Sequence, residues 1–142
     1  MKIHIVTVGQ PKLQYAKEGW QEYYGRLGHY HQLRTTHIPD KHNDTQHFLE
    51  AIGNNYLVVM EIAGKNLTSQ ELSDWLEKRA IESREVCFVI GGPDGIPQEI
   101  IDKADYKLSL GSLTYPHDLA MLILAETLYR SSTIAAGQPY HR

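Results

Sequence analysis

A few stretches of the chain carry side chains whose types and spacing could do chemistry. Residues 91–97 read Gly-Gly-Pro-Asp-Gly-Ile-Pro directly after the apolar run Val86–Ile90. Glycines after a buried strand let a ligand approach the backbone closely, although a bare tight turn is an equally good reading of this loop. The spacing matches neither G-x-G-x-x-G nor G-x-x-x-x-G-K-[ST], so neither standard phosphate cradle is present. Residues 110–117, Leu-Gly-Ser-Leu-Thr-Tyr-Pro-His, offer hydroxyls and backbone amides that suit an adenosine edge. His117 at the start of the following helix is either a proton acceptor or base-orienting donor, or a helix-start residue satisfying backbone groups. Glu126 and Arg130 are four apart in the favourable order for a helical ion pair. They form a structural pair, or Glu126 fixes Arg130 for an anionic partner. The chain closes on Tyr140-His141-Arg142, an aromatic, a titratable and a cationic group in a place where termini usually fray.

No metal chemistry is expected. His29/His31 and His42/His47 lie in polar segments without the third ligand a site needs, and the lone Cys87 has neither a disulfide partner nor a CxxC motif. The 142 residues suffice for one domain, 1–142, and the apolar and charged fractions, 42% and 22%, exclude disordered and fibrous classes. A net charge of −3 is not that of a protein that coats nucleic acid, yet the acids concentrate in residues 41–101. Any RNA contact is expected at the two ends of the sequence instead. No apolar run reaches membrane-spanning length and no signal peptide is recognisable at the start, so a soluble cytoplasmic protein is expected.

Hydrophobic periodicity shows what must position these groups. Strands are expected at Lys2–Val8, Gln32–Ile38, Tyr56–Ile62, Val86–Ile90 and Tyr106–Leu110. Helices are expected from Pro11 through Leu27, from Asp44 to Ile52, from a Thr68/Glu71 capping box to about Ser83, from Pro97 to Ala104, and from Pro116 towards Ala136. Gly64-Lys65-Asn66 reads as a turn. Trp20, Tyr24 and Trp75 fall at helical spacing and read as core. Strands alternating with helices, several of them apolar throughout, predict an α/β fold: a mostly parallel sheet covered by helices on both faces. Such sheets bind ligands beyond the carboxyl ends of their strands, which directs attention to the loops 91–97 and 111–117.

Together FVIGGPDGI, LSLGSLTYPH and the closing LAETLYRSSTIAAGQPYHR resemble the SPOUT-class methyltransferases, and within them the bacterial 23S rRNA (pseudouridine-N3)-methyltransferases. The opening MKIHIVTVG is similar to that family as well. The resemblance implies S-adenosylmethionine as cofactor, a C-terminal trefoil knot, a homodimer, and a pseudouridine in helix 69 of 23S rRNA, in the assembled ribosome or large subunit, as target. It places cofactor contacts at Met60, Gly91, Leu110, Gly111, Ser112, Leu113, Thr114 and Tyr115. Position on the long helix gives the acceptor side to His117 and Arg130, and the resemblance adds Tyr140, His141 and Arg142: Tyr140 to stack on a base, His141 to take a proton, Arg142 to hold phosphate. No metal and no membrane are implied.

The chain departs from that family in two ways. It is short around residues 40–50, and Met121 stands where an arginine is common, four residues after the histidine. The apolar segment Leu119–Leu128 belongs either at the centre of the fold or at a subunit interface, and a dimer contact would bring one subunit's tail to the other's cofactor. The alternatives are another SPOUT enzyme, acting on tRNA or on a ribose hydroxyl, and a non-catalytic nucleotide-binding module.

Overall fold

A computed structural model describes residues 1–82 and 84–142. The chain runs β1 (Lys2–Val8), α1 (Gln14–Leu27), β2 (Gln32–Ile38), a 3-10 turn (Asp40–His42), α2 (Thr45–Ile52), β3 (Tyr56–Asn66), α3 (Ser69–Ile81), β4 (Val86–Ile90), α4 (Gln98–Asp102), β5 (Tyr106–Ser109) and α5 (His117–Ala135). The five strands form one sheet in the order β2-β1-β4-β3-β5, and every pairing is parallel.

Strand alternation divides the core in two. Ile3, Ile5, Val86, Phe88 and Ile90 face α1, α3 and α5, where they meet Trp20, Leu76, Met121, Leu124 and Leu128. Val6, Val8, Cys87 and Val89 face α2 and α4 through Phe48, Ile52 and Ile100. Both faces of β1 and β4 are thus covered, which is why these strands read as unbroken apolar runs. Trp75 packs edge-on against Phe88 at 6.2 Å and leans on Tyr106 at 5.1 Å. Trp20 is buried, and Tyr24 and Trp75 pack against the same core. Met121 is fully buried, so no RNA or partner contact falls to the position where an arginine is common in the family.

The helix caps follow the sequence. The Asp44 side chain accepts from His47 N at 2.9 Å, and Thr68 and Glu71 form the reciprocal capping box. Several boundaries differ from expectation. α1 starts at Gln14 and not at Pro11, because the amides of Lys12 and Leu13 are held by the side chain of Asp118 at 2.7 Å each. α4 and β5 are shorter than expected, and α3 ends at Ile81, the expected end at Ser83 lying outside the described residues.

The main correction concerns Gly64-Lys65-Asn66, which does not turn the chain away. β3 leaves the ladder after Met60, makes an excursion over residues 61–64, and rejoins β5 at Lys65, opposite the same Leu108. A Cβ on Gly64 would lie 2.7 Å from the carbonyl of Lys107, so the return needs glycine.

The histidine pairs have local partners. His42 and His47 stack at 4.0 Å, with His47 Nδ1 against Asp44 at 2.8 Å. His31, expected in an exposed segment, is half-buried. Ser132 gives its one proton to Leu128 O, so His31 Nε2 donates to Ser132 Oγ, at 2.8 Å. Among the described residues no three His, Cys, Asp or Glu side chains converge as a metal site requires, and no helix is long and apolar enough to cross a membrane.

Burial, helped by the nearby amino-terminal charge, pushes His31 down to about 4, and burial lowers His4 and His37 as well. An unfolded histidine takes its proton near 6.5. Between those values the unfolded chain binds protons that the folded chain excludes, so folding stability falls as pH drops from about 6.5 towards 4. Urea unfolding at pH 7.5 and at pH 5 should give a lower midpoint at pH 5, with a smaller difference for His31→Gln. Identical pH dependence in the variant would contradict the burial of His31 as a neutral ring.

Candidate active site

A cleft of about 640 Å³ opens beyond the carboxyl ends of β3, β4 and β5. Met60 and the excursion through Ile62 form one wall, and Gly91 with the rest of its loop forms another. The segment from Leu110 to Tyr115 closes the third side, with Ser112 alone left out of the lining. Seven of the eight cofactor positions named from the sequence therefore share one cleft. Ile62 and Leu113 stand at its mouth, 51% and 71% exposed.

Each wall has a local cause. The turn Gly92-Pro93-Asp94-Gly95 is closed by Gly95 N donating to Gly92 O at 2.9 Å, with Gly95 at φ +78°. A Cβ on Gly91 would lie 2.9 Å from the backbone carbon of Gly95 and 2.7 Å from Ile96 Cγ1. Gly91 is thus both a turn residue and a close-approach residue, and the two readings of the loop are compatible. On the other wall Ser109 Oγ accepts from Gly111 N at 3.0 Å and donates to Gly111 O at 2.9 Å. That pair of bonds fixes Gly111 at φ +121°, backbone that favours glycine.

The first turn of α5 fastens this arrangement. His117 Nδ1 lies 3.1 Å from Gly91 O, and a carbonyl only accepts, so the proton is assigned to Nδ1. Its Nε2 is buried without a protein partner among the described residues. His117 thus holds the glycine loop and is not among the residues that line the cleft. The neighbouring Asp118 is buried and binds the loop after β1 through Lys12 and Leu13. Asp118 escaped the sequence reading, since an acid in a first turn is common from the helix dipole alone. His37 stands nearby: Thr7 donates to Gly9 O at 2.7 Å, so His37 Nδ1 donates to Thr7 Oγ, also at 2.7 Å.

The remaining acceptor residues gather elsewhere. Glu126 Oε1 receives Arg130 Nη2 at 2.6 Å, Arg130 Nε at 3.0 Å and the Tyr140 hydroxyl at 3.0 Å. The guanidinium lies 4.9 Å from the Tyr140 ring centre, and Arg130 Nη1 donates to His141 Nδ1 at 3.1 Å. Tyr129 meets Tyr140 edge-on at 4.7 Å, and Tyr23 brings its hydroxyl to within 3.2 Å. Burial and these bonds raise the Tyr140 pKa, so the phenol keeps its proton. Arg142 Nε donates to Pro139 O at 3.3 Å. The tail is therefore folded back on α5, and Glu126–Arg130 is at once a structural pair and the anchor of the tail. Tyr23 and Tyr129 belong to this cluster and were not legible from helical spacing, which marks them only as half-buried.

His117 and Arg130 are thirteen residues apart on one helix, about 20 Å at 1.5 Å per residue. Within one chain the acceptor residues therefore split between two ends of the molecule. α5 itself lies between α1 and α3, so Met121, Leu124, Ala125 and Leu128 of the Leu119–Leu128 segment are covered inside the chain, leaving Leu119, Ala120, Leu122 and Ile123 half-buried.

Fold and site define an α/β protein with a cofactor-sized cleft at the carboxyl ends of a parallel sheet. The family model described as "Predicted SPOUT methyltransferase" matches residues 1–141. "Ribosomal RNA large subunit methyltransferase H" of Deinococcus radiodurans is 44% identical over 145 residues, covering 100% of this chain and 99% of that protein. The protein of the same name from Carboxydothermus hydrogenoformans is 35% identical over 159 residues, covering 100% of both. Among solved structures, a probable methylase family protein from Haemophilus influenzae shares the fold at a TM-score of 0.59 and 14% identity, covering 99% of this chain and 70% of that one. The chain belongs to the SPOUT methyltransferase family. It is a methyltransferase whose cofactor is S-adenosylmethionine, and the cleft fits that group: glycine backbone on one side, where a Cβ would intrude, and a hydroxyl-bearing loop on the other.

Gly91→Ala forces the loop apart at backbone atoms, an overpacking of roughly 1–3 kcal/mol. We expect cofactor affinity by calorimetry to fall at least about ten-fold while circular dichroism stays native, in line with that cost. Unchanged affinity would remove Gly91 from the cofactor site.

Proposed function

We propose that this chain methylates N3 of a pseudouridine in helix 69 of large-subunit (23S) rRNA, within the assembled ribosome or large subunit in the cytoplasm. The observation that carries the reading is the convergence of Met60, Gly91 and the 110–115 segment on one cleft in a chain of this family. The rRNA target follows the names of the full-length relatives, and the pseudouridine follows the motifs at the C-terminus. The reading includes a single domain over 1–142 and the trefoil knot of the family.

When bound, S-adenosylmethionine supplies a methyl group already activated on a sulfonium. Held against Gly91 and the 110–115 segment, it would supply that methyl group to N3, whose proton must leave to a base. The chain must therefore align the acceptor and help it lose that proton. His117 is tied to Gly91, so its part is to hold the loop that backs the cofactor. Alignment and proton transfer fall to Arg130, Tyr140, His141 and Arg142. Arg130 only donates, so His141 Nδ1 accepts from it and Nε2 carries the ring proton, a donor that can orient the acceptor base; the ring takes up the N3 proton at Nδ1 once the Arg130 contact is released. Arg130, which holds the tail, lies ten residues along α5 from Ala120 in the wall of its own chain's cleft, about 15 Å at 1.5 Å per residue. We therefore place Arg130 and the tail at the cleft of a second copy, in a homodimer.

Ribosomes from cells lacking the modification, incubated with labelled S-adenosylmethionine, should yield labelled N3-methylpseudouridine by nucleoside mass analysis. A free helix 69 hairpin should be methylated far more slowly, because a chain of net charge −3 lacks general affinity for RNA. A label on tRNA or on a ribose hydroxyl would replace the target. Deleting Tyr140–Arg142 should abolish transfer and leave cofactor affinity within a few-fold, since the tail rests on the surface of α5. Wild-type activity in the truncated protein would remove the tail from the reaction, and a matching loss of cofactor binding would make it structural.

A further inference from the structure

The amino end of the sheet holds a second cleft, of about 590 Å³, lined by Lys2, Gly28, His29, Tyr30, Gln32 and Arg84 among others. α5 runs antiparallel to the strands, from Gly91 at their carboxyl ends to His31 before β2. The tail and this cleft therefore share one end of the molecule. Tyrosines connect them: Tyr140 meets Tyr129 at 4.7 Å, and Tyr129 meets Tyr30 in the cleft wall at 6.1 Å. Arg26 covers the faces of Tyr23 and Tyr129 at 5.4 and 5.6 Å. A band of cations, Arg142, Arg130, Arg26, Lys2 and Arg84, thus crosses a chain that is acidic as a whole.

Three of these cations have no carboxylate in salt-bridge contact among the described residues: Arg142 in the tail and, in the cleft, Lys2 and Arg84. Glu85 is the acid beside the two in the cleft, and it is already engaged by Arg34 through bonds of 2.9 and 2.6 Å and by Asn55 at 2.9 Å. Arg84 is oriented by the Tyr56 ring, 5.9 Å from its guanidinium carbon. An open cleft with uncompensated cations, a peptide edge at Gly28–Gln32 and a tyrosine wall matches the backbone of a nucleic-acid strand: phosphates on the cations, and a sugar or base on the ring.

We propose that this cleft binds phosphates of the rRNA strand flanking the target base, extending the acceptor surface from the Tyr140–Arg142 tail to Lys2 and Arg84. The proposal rests on the tail serving the acceptor, and it is tested separately from that reading. The strand leaves the tail along Tyr129 and Tyr30 and places its phosphates at Lys2 and Arg84. Neither residue touches the cofactor cleft, so their contribution is to ribosome affinity and to its dependence on salt.

The test is steady-state methylation of ribosomes by the full chain carrying Lys2→Gln and Arg84→Gln, singly and together. For the double variant we expect the KM for ribosomes to rise about ten-fold at low salt, kcat to stay within two-fold, and cofactor affinity to be unchanged. The slope of log KM against log salt should fall by roughly 0.7 for each phosphate no longer neutralised, as for single strands, with each single variant carrying about half the change. Lys41→Gln/Lys103→Gln makes the same charge change elsewhere and should leave KM and slope as in the wild type. Equal effects of the two double variants, or a wild-type slope in Lys2→Gln/Arg84→Gln, would overturn the proposal even while the tail deletion remains inactive. Calorimetric titration with uridine monophosphate separates a strand from a free anion. Saturable millimolar binding that disappears in the Lys2/Arg84 variant would make the cleft a mononucleotide site and overturn it too.

Discussion

At the first turn of α5, His117 donates to the carbonyl of Gly91 while the Asp118 carboxylate takes the amides of Lys12 and Leu13. The loops after β4 and β1, the two strands at the centre of the sheet, are thereby tied to one helix end. The segment leading into that end, Leu110–Tyr115, is itself a wall of the cofactor cleft. The Asp118 carboxylate is itself buried and takes two charge-assisted bonds from the backbone, so its removal is costly. The cleft depends on this fastening more than on any residue that reaches into it. The fully buried Met121, Leu124 and Leu128 then hold the rest of the helix against the sheet.

The other end of α5 works by a different principle. There Glu126 gathers an arginine and a tyrosine hydroxyl, and the last three residues fold onto that pair. A half-exposed network of this kind is weak in stability terms, but it orders groups that would otherwise fray. On the proposed reading, one helix carries the cofactor wall at its start and the acceptor groups at its end. The helix length keeps the two apart in one chain, and two chains related by a two-fold axis, their α5 helices antiparallel, would bring them together. In the proposed dimer the basic band at the tail end would lie on the subunit that presents the base, away from the cofactor.

Much of this was legible from residue pattern. β1, β2 and β4 have the bounds that their β-branched alternation suggests, and the Asp44 and Thr68 caps form as written. The two ligand loops were found because parallel sheets present ligands at the carboxyl ends of their strands. What local pattern could not show is non-local. Gly64 reads as a turn residue, yet its small size serves the close return to Lys107. Pro11 reads as a helix start, yet Asp118, more than a hundred residues later, captures the amides there. The strand order β2-β1-β4-β3-β5, which sends α5 from one end of the sheet to the other, is likewise set by packing between distant segments. The apolar circumference of Leu119–Leu128 suggested the centre of the fold or a subunit interface; α1 and α3 of the same chain bury Met121, Leu124, Ala125 and Leu128 and leave the other apolar positions half-buried. Support for two copies now comes from the distance between His117 and Arg130.

Heterodimer complementation tests that arrangement most directly. One differently tagged chain carries Gly91→Val, which closes its cofactor cleft, and the other lacks Tyr140–Arg142. Each homodimer should be inactive. The purified mixed dimer contains one intact cleft facing one intact tail and should transfer methyl groups to ribosomes at about half the wild-type rate, one working site per dimer as the symmetry of a two-fold pair requires. An inactive mixed dimer that still binds one equivalent of S-adenosylmethionine would show that cleft and tail act within the same chain and would contradict the account.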